Sequence, residues 1–539
     1  MRTVKKLIKT IIILFAVIFS IILICFFLFI NFDVNVDGSE LTGLTPKQKI
    51  EDFNYLYNYI KDNYPYIEAS KRKTGYDWLA NKDYFEKMIL QSSSDSDFYD
   101  SMQKILFLLQ NAHTHIIEPS TYEMYKDVYN KGLGNFAWRK ILSNKNVQKK
   151  YNAWQRIINN EEKAIPIIIK YVEGNYTAYD AIGQLDYFEA QGIPKFSVLL
   201  QVNDMNIDEY VVSNMGKYYL SYDFSRKKLK KDSFIISCDD NEAIKLKFKT
   251  PDGKIIEKTL EGQKIDLGSN KNKNNMPERL FETEIIKPDK IAYIKVWSFA
   301  YNYVDKDRQG IYSFLQSIKD YPYLIIDIRG NGGGSENYYA QNLVAPLIDK
   351  EISAKFYMLF RNTKQLKPFL MSRGIITTPV RKLPEGLKYP EETKYLFSDF
   401  LESNKKVSPK NPVGFKGKIF LLVDDYVYSS AETFAALCKA TGFATIVGTT
   451  TGGDGIGIDP GVFVLPNSGL VVRFSMEMGL NPDGTCNEEY HTQPDIFVEQ
   501  TFEDFIKYVN FKEKNKDAIV NPYDTVLNHV INLINFPAK

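Results

Sequence analysis

The second half of the chain alternates apolar strands with amphipathic helices, and this order constrains the fold more than any other feature. Strands are predicted at residues 291–296, 323–328, 419–423 and 444–447, and a helix is predicted at about 429–440. Strand, helix and strand in succession are typical of a mostly parallel sheet covered by helices. Active sites of such folds lie at the carboxyl ends of the strands. We therefore expect an α/β core whose chemistry is at that edge.

Two loops at predicted strand ends carry residues that could do chemistry. The first, residues 327–334, reads Asp-Ile-Arg-Gly-Asn-Gly-Gly-Gly, and its glycines permit positive φ and can aim backbone N–H groups at an anion. It is not a dinucleotide fingerprint, because Ser335 stands where glycine is required. The second loop ends in Ser429, Ser430, Ala431 and Glu432. Two interpretations stay open: Ser429 caps the helix through a capping box, or it is a nucleophile at the sheet edge.

Histidine is scarce, which narrows the search for a general base. Of the four histidines, His113 and His115 follow an apolar helix, His491 is in a polar loop, and His529 falls on the apolar face of the last predicted helix. His113 and His115 could share a strand face as metal ligands, but no third ligand is evident, so no metal site is predicted. The cysteines outside residues 11–30 are odd in number and scattered, so no disulfide framework or cofactor is implied.

The order of the motifs resembles a known family. The motifs are His-Thr at residues 113–114, Asp-x-Arg-x-Asn-x-Gly-Gly at 327–334, Ser-x-Ala-Glu at 429–432, Gly-x-x-Thr-x-Gly at 448–453 and Gln-Pro-Asp at 493–495. Together they resemble the serine peptidases that include the carboxyl-terminal processing proteases and the tricorn core protease. The resemblance covers about residues 45–115 and 280–535, and it implies a catalytic core of the Clp protease/crotonase type.

The resemblance also implies which residues act. Asp454 occupies the position at which the processing branch has a catalytic lysine, so the tricorn-like branch fits better. The residues that match its motif are Ser429 as nucleophile, His113 as base and Glu488 as the group that orients the base, with Glu489 as an adjacent alternative.

Two further features of the resemblance concern the surroundings of the nucleophile. The backbone amides of Gly333 and Ser430 are expected to form the oxyanion hole. Tricorn-like sites have a serine immediately before the histidine, whereas this chain has Ala112. That serine is the outer member of the four catalytic residues of tricorn-like sites, and this chain therefore lacks it.

Five segments are predicted along the chain. Residues 1–31 form a cytoplasmic tip and transmembrane anchor, 42–119 an N-terminal helical domain, 120–165 a helical insertion, 166–267 a β-rich module similar to a PDZ domain, and 280–537 the α/β peptidase core. The β-rich assignment comes from alternating apolar residues and a Pro-Asp-Gly turn, and the PDZ likeness comes from resemblance.

The amino-terminal segment predicts the location. Residues 11–30 carry no charge, and a helix of that length reaches about 30 Å, the thickness of one hydrocarbon core. A cleaved signal peptide is the alternative, but this apolar run is longer than usual and lacks small residues at a cleavage site. The preceding basic residues favour a cytoplasmic amino terminus. We expect a single-pass cell-membrane protein with its bulk extracytoplasmic.

These observations predict a function class. The net charge is +2, and four positive charges precede the apolar run, so the rest of the chain has a net charge of −2 and offers no basic face for a nucleic acid. We expect a membrane-anchored serine peptidase that cleaves peptides or protein tails by a Ser-His-Glu mechanism. The alternative is a catalytically inactive peptide-binding or sensor protein on a peptidase scaffold.

Overall fold

The computed structural model describes residues 32–536 except 159–160, 184–185, 239–242, 267–276 and 362, together with the isolated positions 13 and 17. Within these residues no helix has both the length and the apolar character needed to cross a bilayer. Apart from those two isolated positions, the membrane span predicted at residues 11–30 lies outside the described part of the chain.

The helices are distributed over the whole described chain. They are α1 (Pro46–Asn63), α2 (Ile67–Thr74), α3 (Lys82–Leu90), α4 (Asp95–Phe107), α5 (Tyr122–Asn130), α6 (Phe136–Leu142), α7 (Lys145–Ile157), α8 (Tyr187–Gln191), α9 (Ile207–Ser213), α10 (Val304–Ser317), α11 (Glu336–Tyr339), α12 (Lys367–Ser372), α13 (Thr393–Leu396), α14 (Ser430–Thr441), α15 (Asn487–Tyr490), α16 (Phe502–Lys514) and α17 (Thr525–Asn535).

The strands begin at the end of the helical amino-terminal region. They are β1 (His115–Ile116), β2 (Glu161–Val172), β3 (Asn175–Ala181), β4 (Val198–Val202), β5 (Met205–Asn206), β6 (Ser221–Asp223), β7 (Lys228–Lys230), β8 (Ser233–Ser237), β9 (Ala243–Lys249), β10 (Ile255–Glu261), β11 (Gln263–Asp266), β12 (Phe281–Lys287), β13 (Ile291–Val296), β14 (Tyr323–Asp327), β15 (Ile352–Phe360), β16 (Thr378–Pro379), β17 (Asp399–Val407), β18 (Lys418–Val423), β19 (Thr445–Gly448), β20 (Gly461–Val464), β21 (Val471–Phe474), β22 (Glu477–Leu480) and β23 (Ile496–Phe497).

The core is a six-stranded sheet in the order β12-β13-β14-β18-β19-β23. All neighbours from β13 to β23 are parallel, and only β12 runs antiparallel. Successive side chains of a strand point to opposite faces, so these strands bury one set against α10 and α14 and the other against α17. The predicted α/β core is confirmed. Because β14, β18 and β19 are parallel, the loops that follow them meet at one edge.

The helical amino-terminal region docks on the second half of the chain. Helix α1 begins with the predicted capping box, in which Thr45 and Gln48 exchange hydrogen bonds. Strand β1 pairs with β21, with His115 opposite Arg473. The Asp52 carboxylate accepts the backbone N–H groups of Asn467 and Ser468, both at 2.8 Å. These contacts hold the segment that carries His113 against the core.

The region predicted as a helical insertion contains α5, α6 and α7 but is not helical to its end. Strand β2 already begins at Glu161, where the chain enters an apolar run that includes Ile165 and Ile167–Ile169. β-branched side chains favour a strand here. This strand belongs to an eight-stranded sheet with β3, β4, β5 and β8–β11, which is the predicted β-rich module.

The β-rich module contacts the core near the edge that carries the loops. Lys230 forms an ion pair with Asp425 at 2.8 Å, and Arg226 forms a bidentate ion pair with Glu499. Within the described residues Cys238, Cys438 and Cys486 form no disulfide.

Candidate active site

The loops that follow β14, β18 and β19 border a cleft of about 840 Å³. His113, Gly333, Ser429, Ser430 and Asp454 all line it. The structure therefore brings the predicted nucleophile and the predicted base into one cleft, although more than three hundred residues separate them along the chain.

Ser429 does not cap the helix that follows it. Its side chain makes no hydrogen bond to the first turn of α14, and its backbone has φ 58° and ψ −128°. A non-glycine residue in this conformation is strained, and such strain clusters at functional sites. Glu432, the other half of the predicted capping box, is buried and accepts from Asn487 and Thr492 instead. The geometry is that of a half-buried serine that lines the cleft on a sharp strand-to-helix turn.

The glycine loop after β14 presses directly on this turn. Gly333 has φ +100°, and a Cβ there would lie 2.8 Å from the Tyr428 carbonyl oxygen and 2.9 Å from the Ser429 Cβ. Any side chain at this position would displace the serine. Glycine is therefore needed here for two reasons: the positive φ and the close approach of this backbone to the Ser429 turn.

His113 is held by a carboxylate. Its Nδ1 lies 2.8 Å from Asp454 Oδ2. An ionised carboxylate can only accept, so Nδ1 carries the proton and Nε2 is left as an acceptor. This is the tautomer that a general base of a serine nucleophile requires.

The Asp454 carboxylate is buried and surrounded by hydroxyl and amide donors. Tyr66 Oη donates to Oδ1 at 2.8 Å. Asn111 Nδ2, Ser475 Oγ and Tyr428 Oη donate to Oδ2 at 2.8, 2.9 and 3.2 Å. Neutral donors stabilise the charged form of an acid. These donors, together with the His113 ring, keep the carboxylate ionised.

The pKa values of the pair agree with this assignment. Burial alone raises the pKa of a carboxyl, but the His113 ring and the surrounding donors hold the pKa of Asp454 well below its usual range. Burial lowers the pKa of His113 below its ordinary value, and Asp454 only partly opposes this. At neutral pH the pair is a carboxylate and a neutral imidazole, which is ready to accept a proton.

The predicted base and nucleophile share the cleft without being hydrogen-bonded to each other. Tyr428, the neighbour of Ser429, lies between the two sites: its ring centroid is 4.8 Å from that of His113, and its hydroxyl contacts Asp454. Catalytic hydrogen bonds are often long in the absence of substrate and tighten in the complex.

Glu488, the residue predicted to orient the base, makes no hydrogen bond to His113 in the described chain; Asp454 occupies that position. Glu488 is buried with Oε2 unpartnered, and burial, reinforced by the Asp454 charge and opposed by Lys73, raises its pKa to about 8. An acid that is neutral at pH 7 cannot supply the negative charge that holds an imidazole. Glu489, the alternative, instead forms a bidentate ion pair with Arg72.

The predicted oxyanion donors differ in their availability. The Ser430 amide meets no acceptor in the described part of the chain and lies at the start of α14. The Gly333 amide instead donates to Asn331 Oδ1 at 2.9 Å. The local turn of the glycine loop uses this donor, so Ser430 supplies the open amide beside the nucleophile.

Sequence reasoning used Asp454 only to exclude a lysine. The available signal was an acid in the loop after β19, a strand adjacent to the one that leads to Ser429. In the structure this loop runs beside the nucleophile turn, and the Ser429 amide donates to the Gly453 carbonyl at 3.3 Å. Asn111 and Ser475 carried no signal, because their roles depend on the burial of Asp454. Nowhere in the described residues are three His, Cys, Asp or Glu side chains grouped to hold a metal.

Comparison with known proteins agrees with the motifs. Residues 290–498 match peptidase family S41, which confirms the predicted resemblance. Similar solved structures include mature CPAF complexed with lactacystin, 15% identical, with 91% of this chain and 99% of that chain covered and a TM-score of 0.57. Mature CPAF alone is 14% identical, with 92% and 99% covered and the same TM-score. At these identities the likeness shows the fold. Comparison with curated proteins finds no match.

Replacing Glu488 by Gln tests the role of this buried acid through stability. Its pKa rises from 4.5 to about 8 on folding, so the folded state binds the proton more tightly. The Glu488 contribution to stability therefore falls as the pH rises from about 4.5 to 8. Glutamine cannot ionise. We therefore expect the Tm of Glu488→Gln, measured by calorimetry, to increase relative to the Tm of wild type as the pH rises from 5 to 8.

The matched control is Glu489→Gln, which removes an ion pair with Arg72 and should lower the Tm at both pH values. A difference between Glu488→Gln and wild type that is constant across the pH range would show that the Glu488 carboxyl is ionised throughout.

Proposed function

We propose that this chain, whose residues 290–498 match peptidase family S41, cleaves peptides or protein tails with Ser429 as nucleophile, His113 as base and Asp454 as the group that orients the base. The observation that carries this proposal is the 2.8 Å contact between His113 Nδ1 and Asp454 Oδ2 at the wall of the cleft that contains Ser429. In this proposal Asp454 takes the role that the expected Ser-His-Glu mechanism gave to Glu488. We also propose that the peptidase belongs to the tricorn-like branch, because its proposed base is a histidine and not the lysine of the processing branch.

The proposed reaction follows from the positions of the groups. His113 Nε2 takes the proton of the Ser429 hydroxyl as Oγ attacks the peptide carbonyl, and a small closure of the cleft brings the two atoms together. Asp454 keeps the ring in the required tautomer and stabilises the imidazolium that forms. The Ser430 amide donates to the oxyanion, and one such donor contributes about 3 kcal/mol in the transition state. His113 then returns the proton to the leaving amine.

The alternative, an inactive peptide-binding scaffold, is supported by the absence of a direct bond between His113 and Ser429. The strained, uncapped Ser429 and the elaborate stabilisation of Asp454 are the observations against it. A scaffold that needed Ser429 only as a helix cap would gain from an ordinary capping conformation.

A fluorophosphonate probe, which reacts with activated serines, tests the proposal on the full chain in detergent. We expect covalent labelling of wild type, none in Ser429→Ala, and retained labelling in the matched variant Ser430→Ala, because the Ser430 side chain is not the nucleophile. Asp454→Asn should lower the labelling rate by at least about 100-fold, because it removes the charge that fixes the tautomer. Labelling is read by mass spectrometry. A folded wild type without labelling would favour the scaffold.

The pH dependence of labelling reports on the base. The reactive form contains neutral His113, whose pKa lies below its ordinary value of 6.5. The labelling rate should therefore be flat near neutral pH and fall only at acidic pH. A rate that is already falling between pH 8 and pH 7 would point to a base with a higher pKa.

We also propose that residues 11–30 anchor the chain in the cell membrane, with the peptidase domain outside. The proposal is supported by the length and apolar character of that segment. We expect the full chain to stay in the membrane pellet after alkaline carbonate extraction, and a chain that begins at residue 32 to be released. Protease added to intact cells should digest the full chain from outside. Release of the full chain by carbonate would contradict the anchor.

A further inference from the structure

Arg473 lies in the cleft at the strand that joins the amino-terminal region to the core. It is in β21, opposite His115 of β1 and Val462 of β20. Two residues farther along, Ser475 donates to Asp454. Arg473 and Ser475 both line the cleft that holds Ser429. The guanidinium is thus placed beside the catalytic network without belonging to it.

Within the described residues the Arg473 guanidinium pairs with no carboxylate, and its Nε is buried without an acceptor. A buried donor without a partner is costly, and a guanidinium is best satisfied by a carboxylate that takes two parallel hydrogen bonds. The protein therefore holds a cation in the cleft whose preferred partner is absent.

The acidic side chains of the cleft do not supply that partner. Glu336 pairs with Lys405 at 2.6 Å, Asp459 pairs with Arg373, and Asp454 is committed to His113. Glu477 is buried, its Oε1 accepts the Ile458 backbone N–H, and burial raises its pKa well above its ordinary value. The positive charge of Arg473 is therefore left for a group that enters the cleft.

Helix α5 positions this arginine. The Tyr125 ring centroid lies 5.6 Å from the guanidinium carbon, a cation–π contact that restrains the side chain. Met124 and Val128 on the same helix remain 56% and 40% exposed and line the cleft, and Tyr301, which also lines it, is 51% exposed. Apolar side chains beside a fixed cation form a suitable surface for a peptide that carries both kinds of group.

We propose that Arg473 is a specificity residue that binds a carboxylate of the substrate peptide, so that the peptidase prefers a carboxylate close to the bond it cleaves. This inference rests on the proposed function. The carboxylate comes from an Asp or Glu side chain or from the free carboxyl terminus of the peptide; both offer the same planar pair of acceptor oxygens. The role is one of binding, because the reacting atoms are contacted by Ser429 and His113.

Matched peptide pools test the proposal and separate the two sources. Fluorogenic octapeptides are made with Glu or Gln at each internal position, and each is made with a free or an amidated carboxyl terminus. For the full chain in detergent we expect kcat/KM to be at least about 10-fold higher for one acidic form than for its neutral counterpart. In Arg473→Gln the ratio of kcat/KM for the acidic peptide to that for its neutral counterpart should fall to about 1. In Arg473→Lys the ratio should be intermediate, because lysine keeps the charge but cannot form the bidentate hydrogen bonds. Because each ratio is taken within one variant, a change in overall activity does not affect it.

The control is Arg381→Gln, which removes an exposed arginine outside the cleft and should leave the wild-type ratio unchanged. An acidic preference that survives in Arg473→Gln would overturn the proposal, as would a wild type that cleaves acidic and neutral peptides equally.

Binding in the Ser429→Ala background separates this proposal from the peptidase assignment. Fluorescence anisotropy of the same peptides should show tighter binding of the acidic form, lost in Ser429→Ala/Arg473→Gln. Failure of fluorophosphonate labelling in wild type would remove the peptidase assignment while leaving this binding comparison intact. Equal binding of acidic and neutral peptides by Ser429→Ala would remove the role of Arg473 even if labelling succeeds.

Discussion

A single buried carboxylate, that of Asp454, organises the centre of this molecule. Burying an isolated carboxylate costs several kcal/mol, and here the cost is offset by donors from distant parts of the chain. Tyr66 and Asn111 come from the amino-terminal helical region, Tyr428 from the turn before the nucleophile, and Ser475 from the segment after β21. Satisfying this one charge requires those segments to assemble, and the assembly carries His113 to the cleft.

The supporting structure makes that assembly possible. Strands β14, β18 and β19 are parallel, so the loops that follow them lie at one edge of the sheet, where Gly333 packs against Ser429. From the other side, the pairing of the two-residue strand β1 with β21 fixes the segment that follows α4. The same pairing places Arg473 in the cleft wall, so one strand serves both the catalytic network and the proposed recognition of substrate.

The sequence was informative where a local rule decided the structure. The α/β alternation, the capping box of α1 and the serine at a strand-to-helix turn each depend on near neighbours. The partner of His113 could not be found in this way, because Asp454 becomes a suitable carboxylate only when distant donors surround it. Glu488 fitted the motif, yet burial raises its pKa to about 8 and removes its charge at neutral pH. The strands β15, β17 and β22 pair across long separations and gave no clear periodic signal.

Nitrogen NMR of the full chain labelled with ¹⁵N-histidine tests the central pair most directly, because the chain has only four histidines and His113 can be assigned by its loss in His113→Gln. The account predicts that at pH 7 the His113 ring is neutral, with a protonated Nδ1 and an unprotonated Nε2, and that Asp454→Asn disturbs this state. A His113 ring that carries its proton on Nε2, or that is fully protonated at pH 7, would contradict the account.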